Sequence, residues 1–186
     1  QVDVERAAVR LPGRPADPLS RLPAGVTAYL WPSRYCDSDR FEHYVRRRFG
    51  HLHGGDKVQA IADWVRAEMA YVPGASDGST MAGHSFTRRE GVCRDYAHLL
   101  IAMVRAADIP ARMVGAYGLG VDPPDFHAVA EVWLDGGWHL VDATGLSEPE
   151  ALVRIGVGRD ATDVSFLTVF GTADFVAQQV AVTRIG

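Results

Sequence analysis

Cys93, His127 and Asp142 are the residues whose types and spacing point to chemistry. Cys93 opens a run in which Tyr96, Ala97, Leu100, Met103, Val104 and Ala107 recur at i, i+3, i+4 and i+7, the spacing of one buried helix face. Gly91 breaks the structure ahead of this run, and Ile109-Pro110 ends the helix. A thiol in the first turn of a core helix meets unpaired backbone N–H groups and the positive end of the helix dipole, and both favour the thiolate. The same position also suits a small buried hydrophobe. Its partners decide.

Those partners come from a hairpin. His127–Leu134 and Trp138–Asp142 read as strands, with Asp135-Gly136 as a two-residue turn between them. Leu134 then pairs with Gly137 and Val129 lies opposite Asp142, so residues 127, 129, 131 and 133 share a face with 138, 140 and 142. His127 becomes the diagonal neighbour of Asp142, within side-chain reach. A Gly136-Gly137 turn would slide His127 further off, and a three-residue turn would put Asp142 on the other face. Asp-Gly is the best chemistry for a tight turn. A carboxylate fixes the tautomer and orientation of an imidazole, which can then exchange a proton with a thiol nucleophile. His98 and His139 point off these faces and read as structural, and His84 reads as an exposed loop residue.

The elements that must position these groups are spread along the chain. Residues 1–25, with Pro12, Pro15, Pro18 and Pro23, read as an extended N-terminal arm, with a short strand at Val2–Val9. Residues 26–186 read as one domain. Val26–Trp31 is a β-prone run ended by Pro32, and Asp37, Ser38 or Asp39 caps a helix running to about Phe49. Arg46-Arg47-Arg48 reads as a solvated face. His51 and His53 lack the carboxylates or cysteines of a metal site. Asp56 opens a helix with the stripe Val58, Ile61, Val65, Met69 and Val72, flanked by Trp64 and ended by Pro73-Gly74. Residues 75–90 form a polar loop feeding Cys93, and Ala111–Tyr117 is a strand. Glu148–Arg154 reads as a short helix, with closing strands at Val164–Phe170 and Phe175–Val182. Helices first and an antiparallel sheet after them indicate an α+β fold.

Composition narrows the classes. A chain of 186 residues with 47% hydrophobic and 23% charged residues suits one soluble globular core. A net charge of −4 offers no footprint for nucleic acid, and no apolar run approaches the roughly 20 residues that span a bilayer. Cys36 and Cys93 read as reduced thiols, which suggests a cytoplasmic protein. No signal peptide is evident, although the chain opens on Gln1 rather than Met, as a chain trimmed upstream would. No cofactor is implied.

Several joined motifs resemble the bacterial transglutaminase-like superfamily. They are Gly91-Val92-Cys93-Arg94-Asp95-Tyr96-Ala97-His98, Ile109-Pro110-Ala111-Arg112 with Gly115-Ala116-Tyr117, His127-Ala128-Val129-Ala130-Glu131-Val132-Trp133, and Trp138-His139-Leu140-Val141-Asp142-Ala143-Thr144. Ser33-Arg34-Tyr35-Cys36 upstream and Val157-Gly158-Arg159-Asp160 downstream also fit, so the resemblance covers about residues 24 to 182. It implies a papain-like fold with the nucleophile helix packed on an antiparallel β-sheet, and a Cys93–His127–Asp142 triad. Many bacterial members carry a β-rich region ahead of this domain, where here about 25 residues precede it. The oxyanion donors expected are the Cys93 backbone N–H and, further upstream, Trp64, Tyr35 or Ser85.

The expected reaction is acyl transfer or hydrolysis at amide bonds of a protein or peptide substrate through a thioester. The resemblance favours a cysteine protease or amidase over a cross-linking transglutaminase. The rival is a non-catalytic peptide- or protein-binding module on the same fold, with Trp133, Trp138 and Pro123-Pro124-Asp125-Phe126 lining a groove. A metal enzyme built on the same three side chains lacks a ligand-rich motif.

Overall fold

A computed structural model describes residues 10–165, 167–174 and 176–184. Its helices are α1 (Ala24–Thr27), α2 (Glu42–Phe49), α3 (Gly54–Glu68), α4 (Ala82–Arg88) and α5 (Cys93–Arg105). The strands are β1 (Ala70–Tyr71), β2 (Glu90–Gly91), β3 (Ala111–Gly118), β4 (Phe126–Leu134), β5 (Gly137–Val141) and β6 (Leu152–Gly158). β3 to β6 form an antiparallel sheet in the order β5-β4-β3-β6. The fold is α+β, with helices gathered on the sheet.

α5 is the centre of the core. Its residues Leu99 to Val104 are all fully buried, so the helix is surrounded rather than half solvated. Alternate sheet residues Ala111, Met113, Ala130, Val132 and Leu134 pack in the same cluster, together with Val58, Ile61 and Val65 of α3. Val114, Ala116, Val129, Leu140 and Leu152, which alternate with them, form a second cluster on the other face.

Arg105 ties the end of α5 to two loops and to the start of β3. Its guanidinium donates to the carbonyls of Ala111 at 2.9 Å, Trp31 at 3.0 Å and Arg159 at 2.6 Å, and to Ser33 Oγ at 3.0 Å. The chain from Arg10 to Asp17 is fastened at both sides. Leu11 is buried, and the Gly55 N–H donates to the Arg14 carbonyl at 2.8 Å. A Cβ on Gly55 would lie 1.7 Å from the Leu11 carbonyl oxygen, so only glycine admits this approach. On the other side, the Asp135 N–H donates to the Pro15 carbonyl and the Gly136 N–H to Asp17 Oδ2.

Five local expectations change. Val26–Trp31 is helical rather than a strand: α1 and a 3₁₀ turn at Ala28–Leu30 come after Pro23, whose carbonyl accepts the Val26 N–H at 2.8 Å. α3 stops at Glu68, because the Ala70 and Val72 N–H groups donate to Arg89 and Gly91 in a short parallel ladder. The 75–90 loop contains α4. Glu148–Arg154 is a single 3₁₀ turn running into β6, which pairs with β3. The described residues between 164 and 182 carry no strand, while Phe166, Phe175 and the expected Val2–Val9 strand lie outside the described residues.

Candidate active site

The start of α5 is locked from below. Asp95, in its first turn, is 1% exposed and its Oδ2 accepts the Val92 N–H at 2.8 Å and the Ser76 hydroxyl at 2.5 Å. A carboxylate reaching back to an otherwise orphaned N–H fixes where the helix begins. Gly91 makes this possible, since a Cβ there would fall 2.6 Å from Asp95 Cβ. Arg94 continues the brace, donating to the Asp77 carbonyl at 2.7 Å and to Ser76 Oγ at 3.2 Å. Cys93 is thereby presented, partly buried, at a braced helix mouth.

The hairpin delivers the other two groups. Leu134 pairs with Gly137, and the register runs to Ala130 opposite Val141. Asp135 and Gly136 both have positive φ, 52° and 73°, the twist that a two-residue turn between right-twisted strands requires. Continued by one pair, this register sets Asp142 opposite Val129 and diagonal to His127. His127 Nε2 and Asp142 Oδ2 are 2.8 Å apart, with side chains 1% and 2% exposed. Asp142 is itself held: Oδ1 accepts from the Thr144 N–H at 2.8 Å and its hydroxyl at 2.6 Å, and Oδ2 from the Ser147 N–H at 3.1 Å.

Burial pushes the His127 pKa down, but the hydrogen bond to Asp142 and the interaction with Cys93 outweigh it and raise it to about 9. For Asp142, burial pushes the carboxyl up, yet His127 and Thr144 hold it below the ordinary aspartate range. With Nε2 taken by Asp142, His127 Nδ1 is buried and makes no hydrogen bond within the described residues. Cys93 stands near enough to the His127 ring to contribute to its raised pKa.

Tyr71 is a site residue that sequence patterning did not single out. Tyr71 stands near Cys93, and burial followed by that proximity raises its pKa to about 12. Tyr71 reaches this position because β1 pairs with β2, just ahead of Cys93. The signal was the β-prone Ala70-Tyr71-Val72 before Pro73-Gly74, which the helical stripe masked.

Cys93 and His127 line one cavity of about 900 Å³ with Tyr35, Ser76, Arg94, Asp125 and Phe126. Of the upstream oxyanion candidates, Tyr35 alone reaches it. Trp64 is buried against Tyr44 and Phe86, with Arg89 stacked over its ring, and Ser85 is buried on α4 with its hydroxyl on the Met81 carbonyl. His98 stacks under Tyr35 and accepts the Ala161 N–H; burial pushes its pKa to about 3. His139 Nε2 meets the Leu134 carbonyl, and His84 is exposed, its Nδ1 accepting the Met81 N–H. Trp133 and Trp138 pack edge to face at the turn end of the hairpin and do not line the cavity. Cys36 is fully buried, which raises its pKa to about 12.

Comparison with known proteins agrees with this architecture. The transglutaminase-like superfamily profile matches residues 43–143, a span that includes Cys93, His127 and Asp142. A candidate cysteine protease from Cytophaga hutchinsonii superposes with a TM-score of 0.82 at 40% identity, over 84% of this chain and 55% of its own. The periplasmic domain of TgpA from Pseudomonas aeruginosa, bound to ethylmercury, gives a TM-score of 0.53 at 27% identity, over 71% of this chain and 53% of its own. An uncharacterized protein of Mycobacterium leprae is 30% identical over 73% of this chain and 52% of its own length. The chain thus spans about half the length of these relatives. Among the described residues no helix is long and apolar enough to cross a membrane. A profile match across more than half of the chain, on a helix-and-sheet core shared with those structures, places the protein in the transglutaminase-like superfamily.

Proposed function

We propose that Cys93, His127 and Asp142 form a catalytic triad for thiol-dependent acyl transfer at amide bonds of peptides or proteins, with water as the usual acceptor. The observation that carries this reading is the His127–Asp142 contact at 2.8 Å, which leaves the other ring nitrogen for Cys93. Cys93 Sγ attacks the amide carbonyl carbon. The C–N bond breaks as His127 passes its Nδ1 proton to the departing amine, leaving the acyl group on sulfur as a thioester. Neutral His127 then takes a proton from an attacking water, the C–S bond breaks, and the acid leaves.

The tetrahedral oxyanion requires donors placed in advance. The Cys93 N–H and the Tyr71 hydroxyl supply them in this reading, and a Tyr71 pKa of about 12 keeps that hydroxyl protonated at neutral pH. The likeness to a candidate cysteine protease favours hydrolysis over cross-linking. A Pseudomonas aeruginosa protein-glutamine gamma-glutamyltransferase is 29% identical over 54% of this chain and 20% of its own length, which keeps an amine acceptor as the second outcome. The two free thiols support the cytoplasmic placement, which cell fractionation with an antibody to the native protein tests.

Alkylation by iodoacetamide, followed peptide by peptide by mass spectrometry, is the decisive experiment. Cys93 should label quickly at about pH 6, where a thiol of ordinary pKa near 8.5 is nearly inert. Buried Cys36 serves as the unreactive control. His127→Ala should slow the labelling of Cys93 at that pH. An ordinary thiol profile at Cys93, unchanged by His127→Ala, overturns the triad.

A further inference from the structure

The cavity beside Cys93 has a floor almost free of side chains. Gly115 of β3 lies opposite Ala128 of β4 on one side and Gly156 of β6 on the other, so three neighbouring strands set two glycines and an alanine in one row. With strands about 4.8 Å apart, that row is roughly 10 Å long. Met113 and Tyr117 flank Gly115 on the same face of β3, and Tyr117 stacks on Phe126 with ring centroids 5.4 Å apart. At the far end the register slips. Gly115 pairs with Gly156 but Ala116 with Arg154, so Ile155 is the extra residue of a bulge. Val164 roofs the middle, its Cγ1 3.1 Å from where a Gly115 Cβ would stand, whereas a Cβ on Gly156 would meet nothing within 4 Å. Gly115, Ala128, Gly156, Tyr117, Ile155 and Val164 all line the cavity that holds Cys93 and His127.

The charged groups at the rim are engaged elsewhere. Arg94 donates to Ser76 and Asp77, Asp163 is clasped by Arg159 at 2.8 and 3.0 Å, and Asp125 accepts from the Phe126 N–H and from Gln178. A charged guest in the slot would lose water without gaining a partner.

We propose that this slot is the specificity pocket of the cleft, taking a large apolar and preferably aromatic side chain of an extended peptide. With no Cβ at Gly156 a ring can lie against the sheet beside Val164, and the Tyr117–Phe126 pair offers it an aromatic wall. That the peptide carbonyl lies at Cys93 rests on the triad reading; the slot itself does not.

Binding can therefore be measured without turnover, by calorimetry on Cys93→Ala protein. The probes are acetylated hexapeptide pools fixed at one central position as Phe, Leu, Lys or Gly. The Phe and Leu pools should bind about tenfold more tightly than the Lys and Gly pools, the selectivity an apolar pocket typically supplies. Gly156→Val, added in the same background, should fill the slot and abolish that preference. Gly156→Ala, adding one methyl into open space, should weaken it in part and serves where the valine variant melts early. Equal binding of the four pools overturns the proposal, as does a Phe preference that survives Gly156→Val in a folded protein. The iodoacetamide profile of Cys93 in the native chain reports separately on the triad, so either idea can fall without the other.

Discussion

Replacing Asp142 by asparagine should expose how much of this fold is held by one ion pair. His127 has a pKa of about 9 against an ordinary 6.5, so it is an imidazolium at neutral pH. A group whose pKa rises on folding contributes stability that is complete below its unfolded value and is lost as pH climbs through its folded value. For His127 the loss therefore begins near pH 6.5 and is complete just above pH 9. A rise from 6.5 to about 9 corresponds to about 3 kcal/mol on the plateau and about 2.5 kcal/mol at pH 7. Both side chains are almost fully buried, so solvent screening takes little from this figure. Asp142 carries the opposite sign, its stabilisation being present above the ordinary aspartate range and lost as pH falls through its depressed value. The two describe one interaction and count once.

In Asp142→Asn, an amide NH₂ or a single carbonyl oxygen must replace an atom that serves both the His127 ring and the Ser147 N–H. Burial then opposes the charge with only Cys93 left to favour it, and the His127 pKa falls well below its native value. Denaturant unfolding should show a loss of about 2 kcal/mol at pH 7, shrinking below about 1 kcal/mol by pH 10, where the native histidine is neutral as well. NMR titration of the His127 ring in both proteins gives the matching pKa values. A stability difference constant from pH 6 to 10, or a native His127 titrating near 6.5, would refute the reasoning.

Other substitutions test neighbouring claims. Tyr71→Phe removes one donor to the oxyanion, so kcat on a peptide amide should fall roughly 100-fold with KM little changed; an unchanged kcat removes Tyr71 from the reaction. Gly91→Val drives a side chain into Asp95 and should displace the first turn of α5, so Cys93 alkylation at pH 6 slows although the protein stays folded by circular dichroism. Arg105→Met takes a donor from three carbonyls and from the Ser33 hydroxyl, and should cost about 3 kcal/mol in urea unfolding. Gly136→Ala strains a turn residue at φ 73° and should cost about 1 kcal/mol by the same measurement.

The hairpin and its His–Asp contact were legible because two short-range rules agree there. Asp-Gly fixes the turn, and a period of two then fixes every facing pair down to residue 142. The nucleophile helix was legible for a similar reason, its stripe and its Pro110 stop both being local. Tyr71 was not, because a two-residue strand takes its conformation from Glu90-Gly91, twenty residues ahead, while the apolar stripe of α3 continues through it. α4 is short and polar, with Ser85 and Thr87 hydroxyls bonded back to carbonyls one turn earlier, so no periodic face announces it. β6 was hidden behind Pro149-Glu150, which marks a helical turn but only a single one. Trp64 flanked a stripe and lay upstream of Cys93; its ring is spent on Tyr44, Phe86 and Arg89, a destination set by elements distant in sequence.

The fastening of the Arg10–Asp17 stretch has a temporal side. Arg14 pairs with Asp135 across a sequence separation of 121 residues, and Asp17 with Gly136 across 119. Contacts this remote close a loop around almost the whole domain, and their closure entropy is recovered only once the intervening helices and strands have packed. On a ribosome adding about 5–20 residues per second, the early segment waits roughly 6–24 s for the turn it grips to be made. This segment, made well before the turn it grips, is thus among the last to settle, and a protease or chaperone acting during synthesis meets it before the hairpin exists.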